Sequence, residues 1–568
     1  MHIKSRFPDL PPIPNANVHD LFFQYPPGAQ IPDYTVYIDS ETGHRRSFSE
    51  HYEFVRDAAT ALGAPTERGG LGLRGDAGDV VGLFSHNCLS FPAAVHALLA
   101  ITTPFACLSA YSTPYELAHG LRTTRPRYLF AQPALLPTAL AAAQEVGLPD
   151  NHVFVLEGAS PGRLSLQDLV DRVRKGRIAR EPVRPAKKDT LAYFVFSSGT
   201  SGLPKAVMAS HGNVWAMVLS NAVYMQAVAN FLKVAPPKEP YISLSFLPMY
   251  HALALNTVSF RIFSAPVTCV IMPQWDACSV LKAIERYRIN ILMLVPSAVH
   301  QLFNHPDYSK TDFSSVISAT CGAAHLPTAL RDRFLSRFKS VSLTEGFGMS
   351  EVTLGIARKP PNGIFGLTVP DSTCGLIYPS VEVRTVREDG SEADVDEPGE
   401  LWVKAPVVAL GYYGNEQATR ETFVGGWLRT GDWMRIDKDG FLYFVERKKD
   451  TLKVGGAQVS PSEIENVLHA HPDRLISDAC VGGVSGGRAV DAKVPRAWIV
   501  LSEEGRRRGA DATIQALQAW TRQVLSPYKQ IRGGFEVVDQ IPKNPTGKVL
   551  RRLLQDEFEA QYAARAKL

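Results

Sequence analysis

Short apolar runs that stop at a turn and give way to a helical pattern recur along the chain as far as residue 306. They are "DVVGLFSHN" then "FPAAVHALLAI", "RYLFA" then "LLPTALAAAQEVG", and "NILMLVPS" then "AVHQLFNHP". A strand with no polar face must be covered on both sides. Parallel neighbours cannot be joined by a tight turn and need a crossover, usually a helix. The alternation therefore predicts βαβ units, largely parallel sheets and an α/β fold class. The most apolar window, Tyr241 to Pro273, is interrupted by Ser, His, Asn and Arg, so it reads as buried strands and a helix. No window holds 18 uninterrupted apolar residues, the minimum for a membrane-spanning helix.

After about residue 380 the pattern changes. "VEVRTVREDGSEADVDEPGELWVKA" alternates apolar and polar residues around Gly and Pro turns, as an antiparallel β-element does. The charges of "RKKD" (Arg447 to Asp450) then stand close to Gly455 and Gly456. A helix "SPSEIENVLHAH" follows, with Ser460 as its N-cap and Glu463 as the capping-box partner, then strands and a last helix. At 568 residues the chain exceeds one hydrophobic core. The expected organisation is a large N-terminal domain, 1–446, of mixed and largely parallel sheets with helices plus the β-element. A small α+β C-terminal domain, 447–568, completes it.

The 60 basic and 56 acidic residues leave a net charge of +4, which predicts no nucleic-acid partner but permits an anionic small molecule. Seven scattered cysteines with no C-x-x-C fit a reducing compartment and no zinc site or disulfide framework. The N-terminus lacks the apolar region of a secretory signal. The C-terminus, "ARAKL", is close to the S-K-L address, so a peroxisomal import receptor is an expected partner and the peroxisome the expected location, otherwise the cytoplasm.

Chemistry is concentrated in "FVFSSGTSGLPKAV", Phe194 to Val207. The apolar half is a strand, and Gly199 and Gly202 end it. Backbone N–H groups and the hydroxyls of Ser197, Ser198, Thr200 and Ser201 can ring an anion, with Lys205 adding charge. A Walker loop is excluded, because Pro204 stands where its second Gly belongs.

This stretch resembles the phosphate loop of the adenylate-forming superfamily, which includes acyl-CoA synthetases and coumarate–CoA ligases. "TEGFGMSE", "GGWLRTGD", "ERKKDTLKVGGAQVSPSEIE" and "NPTGKVLRR" are similar, in order, to the superfamily's further signatures. The resemblance implies two half-reactions. A carboxylic acid attacks the α-phosphorus of ATP to give acyl-AMP and pyrophosphate, and the thiol of coenzyme A then displaces AMP. Two anions meet in the first step, so cations and oriented donors are needed. The resemblance assigns Lys548 to bridge carboxylate and α-phosphate, and Glu351 with Thr200 to Mg²⁺. Asp432, with Arg447 beside it, takes the ribose hydroxyls. Glu345, Gly346, Phe347 and Ser350 belong to the nucleotide set, and Lys453, Gly455, Gly456 and Gln458 to the junction segment. Lys449 matches the hinge about which relatives turn the small domain.

"SFLPMYHALALNT" is similar to the coumarate–CoA ligase segment with a gating histidine, which makes His251 the residue at the mouth of the acyl pocket. Leu253, Thr257, Val295, Ala298, Gly322, Ala323 and Gly348 are the expected pocket lining. All are small or aliphatic, which suits an apolar acyl or aryl tail. Leu253 replaces a polar aromatic and argues against a phenolic substrate. Gly455 and Gln274 replace cations that lie on the coenzyme A side in relatives, which leaves a carrier-protein thiol open as the acceptor.

Overall fold

The computed structural model describes the chain except for residues 25–32, 198–202, 236–238, 304, 322–327, 339–341, 354, 388, 448–451, 455–456, 460, 487–492, 543–550 and 566–568. It divides into two compact units. The first comprises residues 1–110, 120–196 and 206–446, and the second 111–119, 197–205 and 447–568.

The apolar runs form the centres of two sheets. In the seven-stranded sheet, Leu191–Ser197, Phe105–Leu108, Val81–Phe84, Tyr128–Ala131 and Val153–Val155 lie side by side and parallel. Val81–Phe84, Phe105–Leu108 and Tyr128–Ala131 are buried at every position, as two-sided coverage demands. The covering helices include Ser90–Ala100, buried at every residue, and Leu136–Val146, which ends on Gly147 at φ 74°, a left-handed cap suited to glycine. In the nine-stranded sheet, Thr35–Asp39, Val267–Ile271, Tyr241–Ser245, Ile291–Leu294, Ser318–Cys321 and Ser342–Phe347 run parallel. Antiparallel strands close both its edges.

The β-element expected after residue 380 is a six-stranded antiparallel sheet built on Glu382–Val386, Gly399–Lys404 and Trp427–Ile436. One of its edges is not legible from local sequence: His2–Lys4, at the chain's start, pairs with Glu382–Val386.

The second unit has its own core, in which Ile476–Ser485, Lys493–Leu501 and Phe535–Val537 pack with helices Pro461–His469 and Ala510–Val524. Ser460 lies outside the described residues. Glu463 accepts from the Lys529 ammonium at 2.8 Å, and Lys529 also reaches Glu116 at 3.0 Å. All three side chains are buried, so the charges compensate one another where water cannot.

Candidate active site

The strand Leu191–Ser197 ends in Ser197, the residue at which the second unit resumes; its hydroxyl is buried and has no hydrogen-bond partner among the described residues. Ser198, Gly199, Thr200, Ser201 and Gly202 lie outside them. Lys205 is half-buried at the start of the next strand, Lys205–Ser210. The carbonyl just before it, on Pro204, accepts from Nε2 of His119 at 3.0 Å. An acceptor there fixes the donor tautomer of His119, a residue that no local motif marks.

In the first unit, His251 opens helix Ala252–Ser259, and its carbonyl accepts the Leu255 N–H at 3.0 Å. Its side chain makes no capping bond and lies beside the Tyr250 ring at 4.6 Å. His251 is exposed at its surface, with protein close enough to desolvate the imidazole. Lost hydration pushes it down to about 4, so at neutral pH it is an uncharged donor–acceptor rather than a cation. Asn87, a buried residue in the turn after Val81–Phe84, holds the preceding loop. Its amide donates to the carbonyls of Leu247 and Met272, each at 3.0 Å, and its carbonyl accepts from Met249 N–H at 2.8 Å. A buried Asn with its bonds satisfied is a rigid clamp.

Glu351 sits in the tight turn Ser350–Val352 and is 5% exposed. Its Oε1 accepts from the Tyr412 hydroxyl at 2.9 Å. Burial, with the neighbouring carboxylate, pushes the Tyr412 phenol far above its ordinary range, so it stays a donor. Tyr412 is placed by antiparallel pairing with Val207, and the Glu351 carbonyl accepts from Ala409 N–H at 2.9 Å. Asn256 ties the two halves of the site. Its amide donates to the carbonyls of Ala252 at 2.7 Å and Thr353 at 2.6 Å.

Asp432 owes its position to a bulge. Glu400 pairs with Trp433 and Trp402 with Arg429, so Leu401 alone faces Thr430, Gly431 and Asp432. Gly431 takes φ 71°, Thr430 Oγ1 donates to the Leu401 carbonyl at 2.7 Å, and Asp432 N–H donates to Thr430 Oγ1 at 3.1 Å. Bulges re-aim side chains beside active sites, and the "TGD" triplet supplies a hydroxyl, a positive-φ residue and a carboxylate in that order. Asp432 is 2% exposed.

The sequence profile described as "AMP-binding enzyme" matches residues 27–413, and that of the AMP-binding enzyme C-terminal domain matches 463–548. The chain belongs to the AMP-binding enzyme family. A probable CoA ligase, CCL5, of Humulus lupulus is 31% identical over 528 residues, covering 91% of this chain and 89% of the relative. Acyl-CoA synthetase 7 of Caenorhabditis elegans is 31% identical, covering 85% and 86%. Peroxisomal OPC-8:0-CoA ligase 1 of Arabidopsis thaliana is 29% identical, covering 96% and 93%. Among solved structures, the amide bond synthetase McbA of Marinactinospora thermotolerans matches with TM-score 0.74 at 25% identity, covering 93% and 97%. The adenylate-forming resemblance, the α/β fold class and the acid–thiol ligase class expected from the motifs therefore stand.

The remaining residues of the family's motifs fall as follows. Gly346 and Phe347 pair with Arg358 and Ala357 at the end of the strand that carries Glu345. Glu345, Phe347 and Ser350 are half-buried, and Gly348 is exposed. Leu253 and Thr257 are half-buried on helix Ala252–Ser259, where the Thr257 hydroxyl donates to the Leu253 carbonyl at 2.8 Å. Val295 is half-buried, and Ala298 is buried in the core beside the nine-stranded sheet. Arg447, Lys453 and Gln458 lie on described strands. Lys449, Gly455, Gly456, Lys548, Gly322 and Ala323 lie outside the described residues. Local sequence reasoning missed Asn87, His119, Asn256 and Tyr412. The one local signal was a buried polar type inside an apolar context, which demands a partner.

Proposed function

We propose that this AMP-binding enzyme is an ATP-dependent acyl- or aryl-CoA ligase, working through acyl-AMP and pyrophosphate and then a coenzyme A thioester. The observation that carries the reading is the buried Glu351 carboxylate held by Tyr412. A buried acid whose described side-chain bond is to a neutral phenol suits a hard cation supplied with the nucleotide. Glu351, with Thr200, would hold Mg²⁺, which when bound neutralises phosphate charge. His251, uncharged at neutral pH, orients the acid without pairing with its charge. Asp432 accepts from the ribose hydroxyls, and Lys548 supplies the cation between carboxylate and α-phosphate. We take residue 446 as the boundary between the nucleotide- and acyl-binding domain and the domain that carries Lys548. The relative named as peroxisomal and the terminal Ala-Lys-Leu support import into peroxisomes.

A second reading keeps adenylation but changes the acceptor to a carrier-protein thiol. Gly455 and Gln274, where relatives carry cations, favour it, and likeness to an amide bond synthetase supports an acceptor other than coenzyme A. One experiment separates the two. The purified chain is given ATP, Mg²⁺ and a panel of fatty, aryl and arylalkanoic acids, with and without coenzyme A. Acid-dependent pyrophosphate release with a coenzyme A thioester in the mass spectrum is expected. Release without any thioester refutes the coenzyme A ligase and leaves the second reading.

A further inference from the structure

Two arginines stand next to the site elements, and among the described residues no acid pairs with them. Arg261 follows the helix that His251 opens, four residues after Thr257 and eight after Leu253. Arg358 pairs in register with Gly346, and its Nη2 donates to Thr344 Oγ1 at 3.2 Å, on the strand leading to Phe347. Both arginines are half-buried. They share the Tyr224 and Tyr378 pair, whose rings lie 5.2 Å apart, as neighbours.

Each guanidinium carries five N–H donors and cannot be deprotonated. The acceptors that meet them among the described residues are all neutral: Asn221 Oδ1 for Arg261, and Thr344 Oγ1, Met225 Sδ and the Tyr378 hydroxyl for Arg358. The Nε of both is buried and without a hydrogen-bond partner among the described residues. Neither takes part in an ion pair among the described residues, and Arg261 has Tyr378, the like-charged Arg358 and Tyr224 as its electrostatic neighbours. Two half-buried guanidiniums whose acceptors among the described residues are neutral keep N–H donors for an anion. Arginine's planar fork is matched to carboxylate.

We propose that Arg261 and Arg358 bind a second carboxylate at the far end of the acid substrate, so that the preferred substrates are dicarboxylic acids activated at one end only. This rests on the ligase reading above, and it replaces the uncharged pocket expected from Leu253, Thr257 and Val295. The helix between His251 and Arg261 has eight residues, about 12 Å at 1.5 Å per residue. The second carboxylate is therefore remote from the reacting one, as in a medium-length or arylalkanoic diacid.

The test compares pyrophosphate release by the full chain with octanoate and octanedioate, and with cinnamate and carboxycinnamate. A kcat/KM about 100-fold or more higher for each diacid is expected, because a site built for a polar group rejects the analogue lacking it. Arg261→Gln and Arg358→Gln each remove most of that ratio, and Arg358→Lys restores part of it. Equal or better use of the monoacids, with the ratio unmoved in both Gln variants, overturns the proposal. A thermal-shift series with octanedioate, octanoate, inorganic phosphate and chloride provides a readout independent of turnover. Stabilisation by octanedioate alone, lost in the Gln variants, supports the subsite. Equal stabilisation by phosphate or chloride shows a free-ion site and overturns it. If no acid releases pyrophosphate, the ligase reading falls, and the thermal series decides the subsite alone.

Discussion

Replacing Tyr412 by Phe deletes one hydroxyl and leaves the ring packed where it is. In the wild type that hydroxyl donates to Glu351 Oε1 at 2.9 Å, with both residues under 10% exposed. A hydrogen bond to a charged group contributes about 1.5–3 kcal/mol, more than a neutral one. Glu351 is the proposed cation ligand, so the loss falls on its orientation. At 1.36 kcal/mol per tenfold, the effect is about 10- to 150-fold, the range seen when a metal ligand loses its supporting hydrogen bond. The assay is pyrophosphate release titrated with Mg²⁺ at saturating ATP, with thermal unfolding measured in parallel. The half-saturating Mg²⁺ concentration should rise by that factor, while the melting temperature falls by a few degrees at most. A Mg²⁺ requirement and kcat/KM within about twofold of wild type would show that Tyr412 does not position a cation ligand.

Asn87→Ala removes three hydrogen bonds of 2.8–3.0 Å around the loop before His251. At about 1 kcal/mol each it should lower stability by about 2–4 kcal/mol and raise KM for the acid more than for ATP. An unchanged urea midpoint with both KM values unchanged refutes the clamp. The buried histidines set an acid limit. Burial holds His19 at about 3, His96 at about 4, His211 at about 3 and His51 well below its ordinary value of 6.5. Below about pH 6.5 the unfolded chain binds protons that the folded chain refuses. Stability is therefore full above that pH and falls below it, by about 2 kcal/mol per histidine at pH 5. A urea midpoint equal at pH 7.5 and 5 contradicts this. Lys548→Ala should abolish pyrophosphate release yet leave thioester formation from supplied acyl-AMP near wild type; equal loss of both refutes its assignment to the first step alone.

What was legible in the sequence divides along a physical line. Val81–Phe84 and Tyr128–Ala131 show themselves as apolar runs because burial on both faces leaves a local composition. The "TGD" bulge is legible for a similar reason: a positive-φ residue and a short hydrogen-bonded turn need particular residue types next to one another. Tyr412 reaches Glu351 across 61 positions of sequence and Asn87 reaches Met249 across 162. No local pattern records such pairs. Arg261 and Arg358 were missed for the opposite reason. A single arginine beside an apolar run reads as a solvated end, and only the tertiary fold shows that two of them share one tyrosine pair with no ion pair among the described residues.

The central claim is that the acid is activated as an enzyme-bound adenylate before any thiol is engaged. Isotopic exchange of pyrophosphate into ATP, run without coenzyme A, tests it most directly. Exchange that requires both Mg²⁺ and an acid the enzyme turns over is predicted. Turnover of that acid with no acid-dependent exchange would contradict the account.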